Sequence, residues 1–479
     1  MKDFKHIWVI GLAVTVLLVA VPIIVFASNE PQPANDDPWS NVPKRLKHTD
    51  HTSLIEGPFD SGPAVTQTCL ECHPDAAQQV MGTVHWTWKS DPVEVAWADQ
   101  PVATGKANVL NNFCIGVQSN WNGCTNCHAG YGWEDAGFDF GDELAVDCLV
   151  CHDQSGTYVK GSAGQPVEGV DLVAAAQSVG SPTRQNCGAC HFGGGGGDAV
   201  KHGDLDSTLA NPNENVDVHM GGHDFQCIDC HQTADHLITG RSISVSVDDA
   251  NQIACSDCHT GEVHPDDRLN SHLATVACQT CHIPSAAVRL PTKVEWDWST
   301  AGEDWPEDTH EYLKIKGSFI YEDEYVPEYY WYDGEVATRY LMGDVIDPDE
   351  TTPLNPPGGS IEDATSTIWP FKVHRAVQPY DATYNYLLQP KTVGEGGFWT
   401  DFDWDQAFEL GSEATGLPYS GEYGFVRTDM YWPITHMVAP AEEALTCAEC
   451  HGPDGRLDWE VLGYHGDPVD WGGRQTTGK

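Results

Sequence analysis

The sequence predicts a mainly α protein with extensive irregular loops, its chain wrapped around a stacked core that the side chains alone do not supply. Three observations carry that expectation. Eight C-x-x-C-H pentads occur in 479 residues. Seven of them crowd between Cys69 and His282, about one per 30 residues, and segments that short cannot each bury an independent core. The apolar fraction is 40%, thin for a chain of this length.

The pentads are CLECH at Cys69, Cys72 and His73; CTNCH at Cys124, Cys127 and His128; CLVCH at Cys148, Cys151 and His152; and CGACH at Cys187, Cys190 and His191. The series continues with CIDCH at Cys227, Cys230 and His231; CSDCH at Cys255, Cys258 and His259; CQTCH at Cys278, Cys281 and His282; and CAECH at Cys447, Cys450 and His451. Two cysteines three positions apart can add their sulfurs to the two vinyl groups of one porphyrin, and the adjacent histidine then lies under the ring to bind iron. Zinc ribbons use C-x-x-C pairs but have no reason to place histidine after every one. A thioredoxin-like centre needs one such pair, not eight. The pattern is that of a multihaem c-type cytochrome with eight covalently bound haems. Those haems supply the missing apolar core.

The amino terminus fits this chemistry, because covalent haem attachment occurs outside the cytoplasm. A short basic start precedes an apolar run from Ile7 to Phe26, with small residues after it. Residues 1–28 therefore read as a signal peptide or as a single membrane anchor. Residues 29–60 form a polar, Pro-rich linker. The protein is expected to be periplasmic or otherwise extracytoplasmic, touching a membrane only through an uncleaved N-terminal segment.

Residues 61–290 hold the first seven pentads. Within them "EGVDLVAAAQSVG" reads as a helix, and the glycine run Gly193–Gly197 as a loop. Residues 291–440 contain no pentad and are rich in aromatic and acidic residues. They read as a cap whose rings shield haem faces, or as one wall of a substrate pocket. Residues 441–479 carry the eighth pentad and a tail.

Lys and Arg number 24 against 71 Asp and Glu, a net charge of −47. Such a surface repels nucleic acid and anionic membranes and suits a basic redox partner or a salty medium. Any positive charge near a site must be local.

Each iron has a second axial position. A haem held by two histidines moves electrons, whereas an open or unusual position permits substrate chemistry. Outside the pentads and the N-terminal segment the chain has His48, His51, His85, His202, His219, His223, His236, His264, His272, His310, His374, His436 and His465. That supply suffices for every haem, so the count alone leaves catalysis undecided.

Several longer stretches go beyond the pentads: "HTSLIEGPFDSGPAVTQTCLECHPDAAQQVMGTVHWTW", "NNFCIGVQSNWNGCTNCHAGYGW", "VDCLVCHDQSGTYVK", "HLATVACQTCHIP", "WPFKVHRAVQP" and "CAECHGPDGRLDWEVLGYHGDP". With these, residues from about His51 to Pro468 resemble the octahaem cytochromes of the tetrathionate reductase family. The resemblance implies that the haem of the second pentad is the reaction centre, with Lys160 ligating its iron. It implies seven bis-histidine haems whose second ligands come from His85, His202, His219, His236, His264, His272, His374 and His436. It implies a respiratory reductase of a small inorganic anion or nitrogen substrate (tetrathionate, nitrite or hydroxylamine), fed by a redox protein or a quinol-linked donor. The rival reading is a non-catalytic electron conduit.

A lysine must lose its proton to bind iron, against a free pKa of about 10.4, and burial and the adjacent iron charge both favour that loss. The resemblance also places Cys114 near this haem. It reads as a pocket thiol able to attack a sulfur–sulfur bond, or as a buried inert one. Lys89 is a candidate for local positive charge.

Overall fold

The structure, a computed structural model, describes residues 37–45, 47–113, 115–247, 251–470 and 474. The N-terminal apolar segment and Cys114 lie outside the described residues. No helix among the described residues is long and apolar enough to cross a membrane.

The chain forms two compact units that cut across the divisions expected from sequence. One comprises Met1–Lys44 with Ala254–Leu273, the other Arg45–Ile253 with Ala274–Lys479. In the smaller unit, the sixth pentad makes a turn at Cys255–Asp257, and the Asn41 amide donates to the Cys258 carbonyl at 3.2 Å. A helix at Asp267–His272 begins at Asp266, whose carboxylate accepts the Arg268 N–H. Asn270 on this helix donates to the His264 carbonyl and accepts its N–H.

In the larger unit the helices before residue 290 are short. Gly62–Leu70 and Arg184–His191 span nine and eight residues. The expected helix appears as Leu172–Gln177, with the Asp171 carboxylate accepting the N–H groups of Val173 and Ala174. Gly195, Gly196 and Gly197 have φ of 125°, 87° and 130°, a region closed to most side chains, so the glycine run is a tight loop.

The fifth, seventh and eighth pentads fold as single helical turns, which bring residues three apart to one side. An acidic residue inside the pentad often closes the turn. Asp229 and Glu449 accept the N–H of Gln226 and Thr446, at 2.7 and 2.8 Å. Asp257 does the same for Ala254 in the smaller unit.

Residues 291–440 overturn the mainly α expectation for that part of the chain. After a small hairpin of β1 (Thr233–Ala234) and β2 (Leu237–Ile238), the strands are β3 (Thr292–Asp297), β4 (Tyr312–Leu313), β5 (Gly317–Glu322), β6 (Glu328–Tyr332), β7 (Thr352–Pro353), β8 (Thr367–Asp381) and β9 (Tyr423–Pro433). β3 to β9 form one mixed sheet in the order β4-β5-β3-β8-β9-β7. The first half of β8 pairs antiparallel with β6, and its second half pairs parallel with β3 on the same edge. β9 lines its other edge over eleven residue pairs. A 12-residue helix, Trp404–Thr415, precedes β9.

The sheet carries the largest apolar cluster, in which Trp296 stacks on Trp298 at 4.7 Å. Alternate side chains of β8 reach into the haem-rich region. Lys372 donates to the Val200 carbonyl, His374 meets the Asn112 side chain, and Gln378 donates to the Asn111 carbonyl. Asn112 is fully buried and also donates to the carbonyls of His374 and Thr428. Asn112→Ala removes all three contacts and strands buried polar groups. It is expected to cost about 2–4 kcal/mol, read as a lowered thermal midpoint with all eight haems retained.

Candidate haem ligands and the second pentad

The geometry of histidine pairs identifies candidate axial ligands. Two metal–nitrogen bonds of about 2.0–2.1 Å, plus about 1.1 Å from each nitrogen to its ring centre, put two axial imidazole centroids about 6.3 Å apart. Their planes can take any mutual angle, because each ring rotates about its own bond. Among the described residues, His73, His152, His191 and His231 of the pentads have a second histidine ring at this spacing. His73 lies 6.5 Å from His51, His152 lies 6.4 Å from His236, His191 lies 6.2 Å from His85, and His231 lies 6.3 Å from His436. Burial pushes the pKa of His85, His152, His191 and His231 down, favouring the neutral form that binds metal.

In several of these histidines the second ring nitrogen is already engaged. Nδ1 of His152 faces the Gly180 carbonyl, that of His231 the Thr239 carbonyl, and that of His236 the Gln79 side chain, each at 2.8 Å. Nδ1 of His51 faces the Thr49 carbonyl at 2.8 Å. In the eighth pentad Nδ1 of His451 meets Asp467 at 2.6 Å. Such contacts hold the proton on Nδ1 and leave Nε2 as the metal-binding atom. His374 shows the same arrangement at full burial: Nδ1 faces Asn112 at 3.0 Å, and Nε2 has no hydrogen-bond partner. A buried ring nitrogen without a partner is costly unless a metal takes it.

Asp204 serves two of these histidines. Its carboxylate lies 3.2 Å from His436 Nδ1 and 3.9 Å from His202 Nδ1, and it accepts the N–H groups of Thr435 and His436. Burial opposes its ionisation, but His436, His202 and these N–H groups hold it below the usual carboxylate range. A carboxylate on Nδ1 makes the imidazole a stronger donor and favours ferric iron. Asp204→Asn is therefore expected to raise one haem potential by about 60 mV, the one-electron equivalent of about 1.4 kcal/mol, measured by spectroelectrochemical titration.

His202 is largely buried, with its ring 4.7 Å from that of Trp432. His219 lies in the Val218–Gly222 turn, its ring 5.8 Å from Phe225. His264 and His272 belong to the smaller unit, where Nδ1 of His272 faces the Arg268 carbonyl at 2.7 Å.

Pentads also meet through their cysteines. Cys69 lies beside Cys148, Cys127 beside Cys190, Cys187 beside Cys227, and Cys281 near Cys450. First and third, second and fourth, fourth and fifth, and seventh and eighth pentads are thereby neighbours, as short electron transfers require.

The second pentad differs from the rest. Trp121–Cys124 and Thr125–Cys127 make two successive turns. Asn120 anchors them to the haem-free region: it donates to the Pro390 carbonyl and accepts the N–H groups of Thr392 and Val393. Residues 390–393 of the haem-free region thus pack directly against the second pentad. The His128 ring is wholly buried and packed by Trp86, Trp88, Trp133, Phe138 and Phe140, with centroids 4.7–6.3 Å away. Among the described residues no histidine ring faces it. Its Nε2 meets the Trp86 carbonyl at 2.7 Å, and its Nδ1 is buried without a partner. Burial pushes its pKa down to about 4.

Lys160 lies beside this pentad. Its ammonium donates to the carbonyls of His128 and Gly130, at 2.5 and 2.9 Å, and pairs with Asp147 at 2.9 Å. Asp147 is fully buried and also accepts the hydroxyls of Tyr131 and Tyr158. Lys89 is exposed and donates its backbone N–H to Thr87. Two lysines that sequence reasoning missed lie near aromatic rings: the Lys106 ammonium is 4.3 Å from the centre of the Trp88 ring, and the Lys201 ammonium 5.8 Å from that of Trp432. Burial in turn pushes the Lys201 ammonium down to about 8.

Eight attachment pentads, histidine pairs at axial spacing and a buried unpartnered ring nitrogen define a multihaem c-type cytochrome. Comparison with known proteins narrows this. The family profile described as "Cytochrome c bacterial" matches residues 293–454, the sheet and the eighth pentad. The crystal structure of an octahaem cytochrome c from Shewanella oneidensis superposes with a TM-score of 0.84 at 47% identity, covering 90% of this chain and 100% of that one. A protein of Archaeoglobus fulgidus described as uncharacterized is 24% identical over 282 residues, 48% of this chain and 94% of its own. The chain belongs to the octahaem c-type cytochromes.

Proposed function

We propose that this octahaem cytochrome is an extracytoplasmic respiratory reductase acting at the haem of Cys124, Cys127 and His128. The observation that carries the reading is the contrast between pentads. His73, His152, His191 and His231 each have a second histidine ring at axial spacing, while His128 has aromatic rings around it and the Lys160 amine beside its carbonyl.

The haems supply reversible one-electron transfer at potentials tuned by their axial ligands. The protein's part is to hold them and to make one unlike the others. In this reading His51, His236, His85 and His436 are the second ligands of the first, third, fourth and fifth haems. The sixth, seventh and eighth draw on His202, His219, His264, His272 and His374. Lys160 would hold the second haem's iron in place of an imidazole, His128 being turned to the Trp86 carbonyl, and the other axial position would then be free for substrate. Tetrathionate is the leading substrate: two electrons from a redox protein or quinol-linked donor break its central sulfur–sulfur bond and release two thiosulfates. Nitrite and hydroxylamine suit the same centre, since both bind iron through nitrogen.

One observation favours the second reading, an electron conduit. The Lys160 ammonium is fully provided with acceptors by Asp147 and two carbonyls, as a structural cation would be. Oxidation of reduced methyl viologen by the purified eight-haem protein separates the two. Turnover with tetrathionate, nitrite or hydroxylamine, lost in Lys160→Met, supports the reductase. No turnover with any of them supports the conduit.

A further inference from the structure

The eighth pentad stands at the surface, and its histidine is backed by a carboxylate. Nδ1 of His451 meets Asp467 at 2.6 Å, where Nδ1 of His152 and of His231 faces a backbone carbonyl. The N–H groups of Gly452 and Val469 donate to the same carboxylate, at 2.6 and 2.9 Å, and hold it in place. Trp459 stacks on the His451 ring at 5.3 Å and 14°, which fixes the plane of the imidazole. A charged acceptor on Nδ1 makes the imidazole more basic and favours ferric iron. Thr446, Cys447 and Ala448 are exposed, and access to water favours the more highly charged ferric state as well. Both effects lower the potential of this haem.

Asp204 backs His436 beside the fifth pentad in the same way, at 3.2 Å, but there Asp229 is buried and Cys227 and Ile228 are half-buried. The eighth pentad also has a neighbour to pass electrons to. The Leu445 N–H donates to the Cys281 carbonyl of the seventh pentad at 2.9 Å. Gln279 and Thr280 of that pentad are buried, and Thr280 donates to the Ile368 carbonyl of β8. Around the exposed turn the charge is negative. Glu442, Glu443 and Asp454 are exposed, while Arg456 pairs with Glu449 at 3.6 Å. Such a surface suits a positively charged partner.

We propose that the eighth haem is a low-potential terminus at which a basic one-electron redox protein docks, with Asp467 as the positioning residue that sets its potential through His451. Each exchange moves one electron between the partner and this haem, and then between this haem and the seventh, with no bond made or broken. That electrons flow inward, from partner to substrate, rests on the reductase reading; the potential and the docking do not.

The test is a spectroelectrochemical titration of the eight-haem protein. It compares wild type, Asp467→Asn, which keeps a carbonyl oxygen for the ring and removes the charge, and the charge control Glu460→Gln, whose side chain is exposed. In Asp467→Asn one of the two lowest one-electron components is expected to rise. Its ratio of reduced to oxidised haem at a fixed potential should grow about tenfold, equivalent to about 59 mV. The other components, and all of those in Glu460→Gln, are expected to change less than twofold.

Docking is read separately, as the rate at which the reduced protein passes electrons to oxidised mitochondrial cytochrome c, a basic one-electron protein. Glu442→Gln/Glu443→Gln is expected to slow this exchange about fivefold at low ionic strength and to match wild type at high sodium chloride. This measurement decides the matter should Asp467→Asn fail to take up eight haems.

An unmoved set of potentials in Asp467→Asn, movement confined to the higher components, equal movement in Glu460→Gln, or exchange indifferent to Glu442 and Glu443 each overturns the proposal. If a low component rises and exchange slows as expected while wild type reduces no substrate, the terminus stands and the reductase reading fails. If wild type reduces tetrathionate and no potential moves in Asp467→Asn, the reductase reading stands and the terminus fails.

Discussion

Lys160→Met is expected to abolish substrate reduction, by at least a hundredfold, and to change the electronic signature of one haem in eight. The variant carries a second consequence that has to be separated from the first. Lys160 is the ion-pair partner of the buried Asp147, and removing one member of a buried pair costs about 3–5 kcal/mol. The hydroxyls of Tyr131 and Tyr158 still donate to that carboxylate and place the loss toward the lower end. Lys160→Arg resolves the two roles. A guanidinium can pair with Asp147 but does not deprotonate, so it cannot serve as a metal ligand. The expected result is near-wild-type stability with activity as low as in Lys160→Met. An active Lys160→Arg enzyme would assign the lysine a purely structural role.

His51→Ala is expected to convert the haem of the first pentad from low-spin to high-spin, adding about one haem equivalent able to bind cyanide or carbon monoxide. The 6.5 Å spacing from His73 and the Nδ1 contact to Thr49 carry this expectation. His48, whose ring is 5.0 Å from that of His51, is the control. His48→Ala should leave the spectrum unchanged. A spectral change confined to His48→Ala would reverse the assignment, and an unchanged spectrum in both would place the first haem's second ligand elsewhere.

These two residues show what the sequence could and could not convey. Attachment residues are legible because covalent chemistry forces two cysteines and a histidine into five consecutive positions. Axial partners carry no such constraint. The His85 ring lies 6.2 Å from that of His191, and the His436 ring 6.3 Å from that of His231, so only the folded chain pairs them. His51 falls in what reads as a polar linker, although it opens the stretch on which the family resemblance rests. Cys114 lies outside the described residues, and its part in the chemistry stays an expectation.

The sheet was hidden for a different reason. β8 contains Pro370 and Pro379, which argue against a central strand, and its residues 370–374 are buried on both faces, so the alternation that marks a half-exposed strand is absent. The aromatic run of β6 and the β-branched residues of β8 were the available signals. The helix at Leu172–Gln177 and the Gly193–Gly197 loop, by contrast, obey purely local rules, and the sequence reading places both.

The central claim is that one haem of eight differs in ligation and that Lys160 makes it differ. Low-temperature EPR with near-infrared magnetic circular dichroism of the fully oxidised protein, recorded beside Lys160→Met, tests it directly. The account predicts seven bis-histidine haems and one high-spin or amine-ligated haem whose signal changes in the variant. Eight bis-histidine haems, indifferent to the substitution, would contradict it and leave an electron conduit.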